Sequence, residues 1–333
     1  MRVEHKKCKI AIAGAGITGA YLYRLLGNEG HHVDIFDVEN GTRCGLTPCA
    51  WGTSQGFAEL VTASGLDPER YILRRHDQVM MDDTRVEGDL MTFDKPRLVK
   101  DLLKGTEVRY SPLSVSQYDR VIDASGVSRA YLPAIKRDII MKCMQCRVQT
   151  DEHLENRIKF GEIGYAWCFP LAEKDYHIGC GSYLTDANKI MRKLGWLLTQ
   201  PSKCIGEILC RCEGKIRLTS PHYSQPFVID GASSGVWGVG EAIGCVAPLA
   251  GDGVVPGMRS AQILVDKWDD PAGYTDAILN EFKCMKDERA VIDKLMSIRH
   301  LGAEDVWILK TNAKRMGIHI GFREAAMLIK RLR

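Results

Sequence analysis

No stretch of this chain approaches the roughly 18 consecutive apolar residues that a membrane-spanning helix requires. The opening Met1-Arg2-Val3-Glu4-His5-Lys6-Lys7 lacks the apolar core of an export signal, so a cytoplasmic location is expected. Low-complexity runs and internal repeats are absent, which argues against a disordered or solenoid chain. Charge of one sign is scarce: the formal net charge is only +3, too little to argue for nucleic acid without a clustered basic face. No His-x-x-x-His pair sits on a helical pattern, so the helical zinc-site signature is missing. Only one Gly-x-Gly-x-x-Gly follows a strand, which leaves no dedicated nicotinamide domain. Were the chain a redox enzyme, its electrons would come from a protein carrier such as ferredoxin, or from a small donor that docks directly.

What is present suits a globular enzyme. The chain has 333 residues, 45% hydrophobic and 26% charged, enough for about two domains with a substantial core. Its twelve cysteines, in a reducing compartment, read as thiols, metal ligands or redox groups before they read as a disulfide framework. Near the end, Lys310, Lys314, Arg315, Arg323, Lys330, Arg331 and Arg333 alternate with Met316, Ile318, Ile320, Phe322, Met327, Leu328 and Ile329. A basic amphipathic tail of this kind can lie against anionic lipid headgroups. The alternative is a solvated helical face packed on the protein.

The N-terminal end carries the sharpest motif. Lys9 to Ala13 is an apolar run of strand length that leads into Gly14-Ala15-Gly16-Ile17-Thr18-Gly19, and Ala20 to Leu26 continues with a helical pattern. Strand, glycine turn and helix together make a dinucleotide site: Gly14 permits the tight turn, Gly16 lets backbone approach a pyrophosphate, and Gly19 lets helix sit close to strand. The pyrophosphate, beside Ile17 and Thr18, then meets the positive end of the helix. A second strand, His32 to Phe36, ends in Asp37, about 20 residues on, where the ribose hydroxyls of an adenine dinucleotide fall.

Two later segments choose between dinucleotides. Tyr118 to Asp123 reads as a buried strand ending at a turn containing Ala124 and Gly126. Gly235 to Gly244 is a strand that reaches Glu241 and runs on into Gly251-Asp252-Gly253, with a helix from Val254. This three-part layout resembles the flavoprotein superfamily that includes aromatic hydroxylases and geranylgeranyl reductases. The resemblance implies FAD on a Rossmann-type α/β domain of the glutathione-reductase-like, hydroxylase branch, with an inserted, mainly antiparallel substrate domain and a C-terminal helical cap. It also implies that the acid of the last segment holds the ribityl chain. Here that acid is Glu241 where Asp is commoner. The helix N-terminus from Gly251 to Val254 would face the flavin, its N–H groups favouring negative charge there.

Between the flavin segments lies Tyr165-Ala166-Trp167-Cys168-Phe169-Pro170, then eight residues, then Gly179-Cys180-Gly181. Aromatics at alternating positions share one face of a strand and build an apolar wall. The spacing resembles the substrate-binding signature of archaeal geranylgeranyl reductases, which saturate isoprenoid double bonds. For such a ligand, affinity comes from apolar area at about 25 cal/mol per Å². A core aromatic cluster is the competing reading. The same family has a Pro-Cys-Gly loop whose cysteine reaches the flavin. Pro48-Cys49-Ala50 falls in register with it, with Ala50 replacing the usual glycine, while Cys44-Gly45 is a competing placement. The resemblance makes Cys49 both a flavin contact and the catalytic thiol, able to protonate the carbon opposite hydride attack. Loop filler is its alternative role.

Cys143 and Cys146, with Cys204, Cys210 and Cys212, have spacings that suggest a metal site or disulfides. Residues three apart on a strand point to opposite faces, however, and no metal is expected. The flavin domain is expected at 1–70, 90–135 and 230–270, the substrate domain at 71–89 and 136–229 with a helix over Thr185 to Thr199, and the cap at 271–333 after a Pro271-Ala272-Gly273 join. The resulting expectation is an FAD-dependent reductase of an isoprenoid or similar apolar chain. A flavin monooxygenase and a non-catalytic electron-transfer flavoprotein are the alternatives.

Overall fold

The computed structural model describes residues 8–39, 49–161, 163–183, 206–230 and 235–332. Two sheets organise the chain. The first is a five-stranded sheet with order β12-β13-β6-β1-β2, from Val228–Ile229, Gly235–Gly238, Arg120–Asp123, Lys9–Ala13 and His32–Phe36. All its strands are parallel except β12. Ile10, Ala11 and Ile12 of β1 are fully buried because the central strand of a parallel sheet is covered on both faces. Each isoleucine so buried contributes roughly 1.5–3 kcal/mol. Helix α1 (Ile17–Asn28) crosses over to β2 and lies against α3 (Lys95–Leu102) and α4 (Val254–Asp266). Gly14 has φ of +113°, and a Cβ there would sit 2.3 Å from the Ala124 carbonyl oxygen, so only glycine fits this turn.

The second sheet is nine-stranded. Its order is β11-β7-β10-β9-β8-β4-β5-β14, with β3 pairing β5. The strands are β3 (Gly52–Thr53), β4 (Ile72–Met81), β5 (Thr84–Phe93), β7 (Ile140–Gln149), β8 (Arg157–Phe160), β9 (Gly164–Ala172), β10 (Asp175–Ser182), β11 (Glu207–Arg217) and β14 (Ile318–His319). All pairings are antiparallel except β4 with β8. The fold class is the expected one: α/β, a Rossmann-type domain with an inserted antiparallel sheet and a helical C-terminal segment. Strand β5 carries the second sheet to Phe93, past the expected boundary at residue 90, and β14 brings the C-terminal segment into the same sheet. The helix expected over Thr185 to Thr199 lies outside the described residues.

Among the described residues, the α-helices that follow α2 (Phe57–Ala63), α3 and α4 are α5 (Pro271–Glu281), α6 (Lys283–Met296), α7 (Ala303–Arg315) and α8 (Phe322–Arg331). The Pro271-Ala272-Gly273 segment is the first turn of α5 and not a join: proline is tolerated at the first helical position, and the Asp270 side chain caps the Gly273 N–H at 2.8 Å. The basic tail turns its apolar side inward. Ile318, Ile320, Leu328 and Ile329 are buried, while Lys310, Lys314, Arg323 and Lys330 face outward with Phe322 and Met327. Arg331 pairs with Asp82 in the β4–β5 turn at 3.1 Å and ties α8 to the sheet. Among the described residues no helix is long and apolar enough to cross a membrane.

Glu288 of α6 is 1% exposed and pairs with Arg315 of α7 at 2.6 Å. Burial pushes its carboxyl up from 4.5 to about 7 against the pull of that guanidinium. A carboxyl raised on folding contributes stability that is full below its unfolded value and is lost as pH rises through the folded one. The advantage of wild type over Glu288→Gln in thermal unfolding is therefore expected to shrink between pH 4.5 and 7. A difference in melting temperature that stayed constant over this window would show that Glu288 titrates normally.

Candidate active site

One continuous cavity of about 970 Å³ joins the two sheets and the C-terminal helices. Its first part is the glycine turn. Gly14, Gly16, Ile17 and Thr18 line it, Gly16 is the N-cap residue of α1, and a Cβ at Gly16 would meet nothing within 4 Å. Space beside a helix N-terminus is what an incoming pyrophosphate needs. Gly19 stands behind the turn, where a Cβ would meet the Gly14 carbonyl oxygen at 1.9 Å, which is why α1 can approach β1 so closely. Asp37 lines the cavity at the end of β2, accepting from the Ala15 N–H at 2.9 Å and the Val38 N–H at 2.7 Å, so its carboxylate is fixed beside the glycine turn.

The turn after β6 supplies Ala124 and Gly126 to the same cavity. Arg217, 4% exposed, pins this turn from β11: its guanidinium donates to the Gly126 and Val127 carbonyls at 3.0 and 2.8 Å and pairs with Asp138 at 3.0 Å. Its backbone N–H donates to Glu241 at 2.7 Å. Glu241 lines the cavity, and burial raises its carboxyl while Arg217 opposes the rise. Gly251, Asp252, Gly253 and Val254 complete this part. Of the N–H groups from Gly251 to Val254 expected to favour negative charge on the flavin, two are engaged within the protein. The Val254 N–H donates to Asp252 Oδ1 at 2.9 Å and the Gly251 N–H to the Ala247 carbonyl at 2.8 Å. The carboxylate sits at the positive end of α4 and accepts from Ser54 Oγ at 3.1 Å.

Sequence reasoning missed Lys95, the first residue of α3. It is 7% exposed, lines the cavity, and has no ion pair or side-chain hydrogen bond with a described residue. Its charge acts on the Glu241 carboxyl and pulls it down, but no ion pair forms, which leaves the ammonium open to a ligand's anion. Together with the open cradle at Gly16, it tests well for FAD, whose pyrophosphate or reduced ring brings negative charge. Lys95→Met is expected to weaken FAD retention about tenfold, the scale of one charge-assisted hydrogen bond. Equal flavin content after dialysis of both proteins would remove Lys95 from the site.

The Cys49 loop is strapped to the second sheet through three successive carbonyls. Cys49 accepts from Gln145 Nε2 at 3.0 Å, Ala50 from His177 Nδ1 at 3.1 Å, and Trp51 from the Phe93 N–H at 3.0 Å. Trp51 has φ of +57° and its indole packs edge-on against His177, at 4.6 Å between centroids. Burial pulls His177 down to about 4, so it is neutral and its ring proton serves Ala50. Cys49 is half-buried and lines the cavity, while the competing Cys44 lies outside the described residues. A second thiol, Cys143, lines the cavity two residues before Gln145 on the same face of β7, and burial pushes it up to about 12.

Tyr165, Trp167 and Phe169 all line the cavity along β9, with ring centroids 5.7 and 6.4 Å apart in succession. The Tyr165 hydroxyl donates to the Ala250 carbonyl, which fixes the wall to the Gly251 loop. Gly179 sits behind the wall on β10: a Cβ there would meet the Trp167 ring at 2.3 Å. Gly181 backs onto Met141 and Cys143, and Pro170 is buried, its carbonyl accepting from Thr92 Oγ1 at 2.9 Å. None of these three lines the cavity. Part of the wall was not foreseen: Leu309, Ala313 and Met316 from α7 and the turn after it, with Leu328 of α8 and Leu332 just past its end, close the apolar end. Cys146 and Cys180 belong to a separate core within the second sheet. Cys204 is outside the described residues, and among those described no group of three or more His, Cys, Asp or Glu is placed to hold a metal ion.

No family model matches the chain. An uncharacterized protein of Methanocaldococcus jannaschii is 25% identical over 345 aligned positions, covering 86% of this chain and 90% of the relative. Among solved structures, a geranylgeranyl bacteriochlorophyll reductase-like protein from Thermoplasma acidophilum is similar with a TM-score of 0.73 at 16% identity, over 98% of this chain and 99% of that one. The flavin-dependent halogenase CmlS is similar with a TM-score of 0.63 at 16% identity, over 98% and 70% of the two chains. A probable FAD-dependent monooxygenase from Pseudomonas aeruginosa follows at 0.58 and 17%, over 86% and 96%. At these identities the likeness is one of fold. The chain shares its fold with the geranylgeranyl bacteriochlorophyll reductase-like protein over nearly all of its length, and also with a flavin-dependent halogenase and a probable FAD-dependent monooxygenase.

Proposed function

We propose that the chain is an FAD-dependent oxidoreductase that saturates carbon–carbon double bonds of an isoprenoid or similarly apolar chain. The observation that carries this reading is the continuity of one cavity: Tyr165, Trp167 and Phe169 line the same space as the glycine turn and the Cys49 loop. An apolar chain offers few hydrogen bonds, so its affinity must come from area, and the aromatic row with the C-terminal helices supplies it. When bound and reduced, FAD supplies a hydride. The protein's part is to hold the double bond against the aromatic wall, exclude water, and deliver a proton to the second carbon from the Cys49 thiol, which recovers a proton from solvent. Aromatic faces also tolerate developing positive charge on the alkene carbon, an attraction of about 1 kcal/mol.

Incubation of reduced protein with geranylgeranyl lipids under anaerobic conditions, followed by mass spectrometry, tests the reading. A gain of about two mass units per saturated bond is expected in wild type, and much less in Trp167→Ala. No gain with FAD still bound would overturn the reductase. A monooxygenase is the second reading, favoured by the fold shared with a probable FAD-dependent monooxygenase. It requires oxygen and a nicotinamide donor, whereas the reductase works without oxygen. A ferredoxin-type carrier is the proposed electron source, and the outward Lys310, Lys314, Arg323 and Lys330 with Phe322 and Met327 the proposed contact with anionic lipid.

A further inference from the structure

Helix α7 presents Leu309, Asn312 and Ala313 to the cavity, and Met316 follows one turn on. This spacing places all four on one stripe. Three are apolar and one is a carboxamide. Asn312 is 5% exposed, and its side chain makes no hydrogen bond with any described residue. Leucine has nearly the same size and would complete the apolar stripe of Leu309, Ala313 and Met316 without bringing a polar group to that wall. The charged residues that line the cavity are Asp37, Glu39, Lys95, Lys215, Glu241 and Asp252, all from the nucleotide end, the Gly251 loop or β11. None comes from β4, β5, β8, β14, α7 or α8. A phosphate or carboxylate among those elements would be a buried charge with no counter-ion.

We infer that the apolar arm binds a chain with a small uncharged head, a hydroxyl or another group that both donates and accepts, and that Asn312 reads that head. The carboxamide offers one carbonyl acceptor and two N–H donors, matched by a hydroxyl's single donor and two lone pairs. The head then sits against α7 while the chain runs along the aromatic row toward the Cys49 loop. This rests on the apolar-chain reading above and adds the class of its headgroup.

The test uses FAD-loaded protein and three probes of one chain length: geranylgeraniol, the corresponding hydrocarbon without the hydroxyl, and geranylgeranyl monophosphate. Binding is followed by perturbation of the flavin absorption. Wild type should hold the alcohol about tenfold more tightly than either other probe, the scale of one satisfied buried hydrogen bond. Asn312→Leu should lose that tenfold for the alcohol and keep the hydrocarbon within about twofold. Equal binding of alcohol and hydrocarbon by wild type, or preference for the phosphate, overturns the inference without recourse to the variant, and leaves the apolar-chain reading standing. A variant that weakens all three probes together also overturns it, since Asn312 then only packs. If no probe perturbs the flavin, the apolar-chain reading fails and this inference with it.

Discussion

Gly14→Ala is expected to yield a protein that retains little FAD. The backbone there has φ of +113°, a region closed to ordinary L-residues, and the added Cβ would lie 2.3 Å from a carbonyl oxygen of the β6 turn. No flexible side chain can move aside, so backbone must, at a cost of about 3 kcal/mol or more. The displaced turn carries Ala124 and Gly126, which line the same cavity, so fold and cofactor are damaged together. A loss of about 100-fold in flavin affinity follows from that cost, read as the flavin-to-protein ratio after purification, together with a lowered melting temperature. Gly16→Ala is the informative partner. Its Cβ would touch nothing, so the fold should keep its stability while the cofactor alone is weakened. If Gly16→Ala held FAD as firmly as wild type, the pyrophosphate would have to pass elsewhere.

Cys49→Ser should separate chemistry from binding. The loop is held through its carbonyls by Gln145, His177 and the Phe93 N–H, none of which involves the thiol. Flavin content and melting temperature are therefore expected to stay close to wild type. Turnover should fall about 100-fold, the lower end of what a positioned general acid contributes. Unchanged turnover would take Cys49 out of the mechanism and direct attention to Cys143, a protonated thiol at neutral pH on the facing strand. Gln145→Leu serves as a control for position: it leaves the thiol intact but frees the Cys49 carbonyl. It should lower turnover less than Cys49→Ser, with a raised KM that the serine variant does not show.

The parts of the site legible in the amino-acid order are those whose reason is local. A strand, a glycine turn and a helix form a continuous segment from Lys9 to Asn28, and each glycine's task follows from the geometry of that one turn. Tyr165, Trp167 and Phe169 announce a shared face because strand side chains alternate, whatever the strand pairs with. Gly179 was legible as a marker but not as a cause, since its need for a missing Cβ comes from a ring on the neighbouring strand. Gln145 and His177 carry no such mark. They act on carbonyls 96 and 127 residues away, and a polar residue in a strand looks the same whether it faces solvent or straps a catalytic loop.

By itself, then, the order of residues determined the nucleotide turn, the alternation of apolar and aromatic positions, and the class of fold they build, because dihedral preference and side-chain period act within a few residues. Tertiary structure alone decided that a buried Lys95 faces the cavity, that Asp252 consumes the Val254 N–H at the start of α4, and that α7 and α8 wall the apolar arm. Those outcomes depend on which burial and which register win when distant segments meet. That competition is settled over the whole core and not along any one stretch of chain.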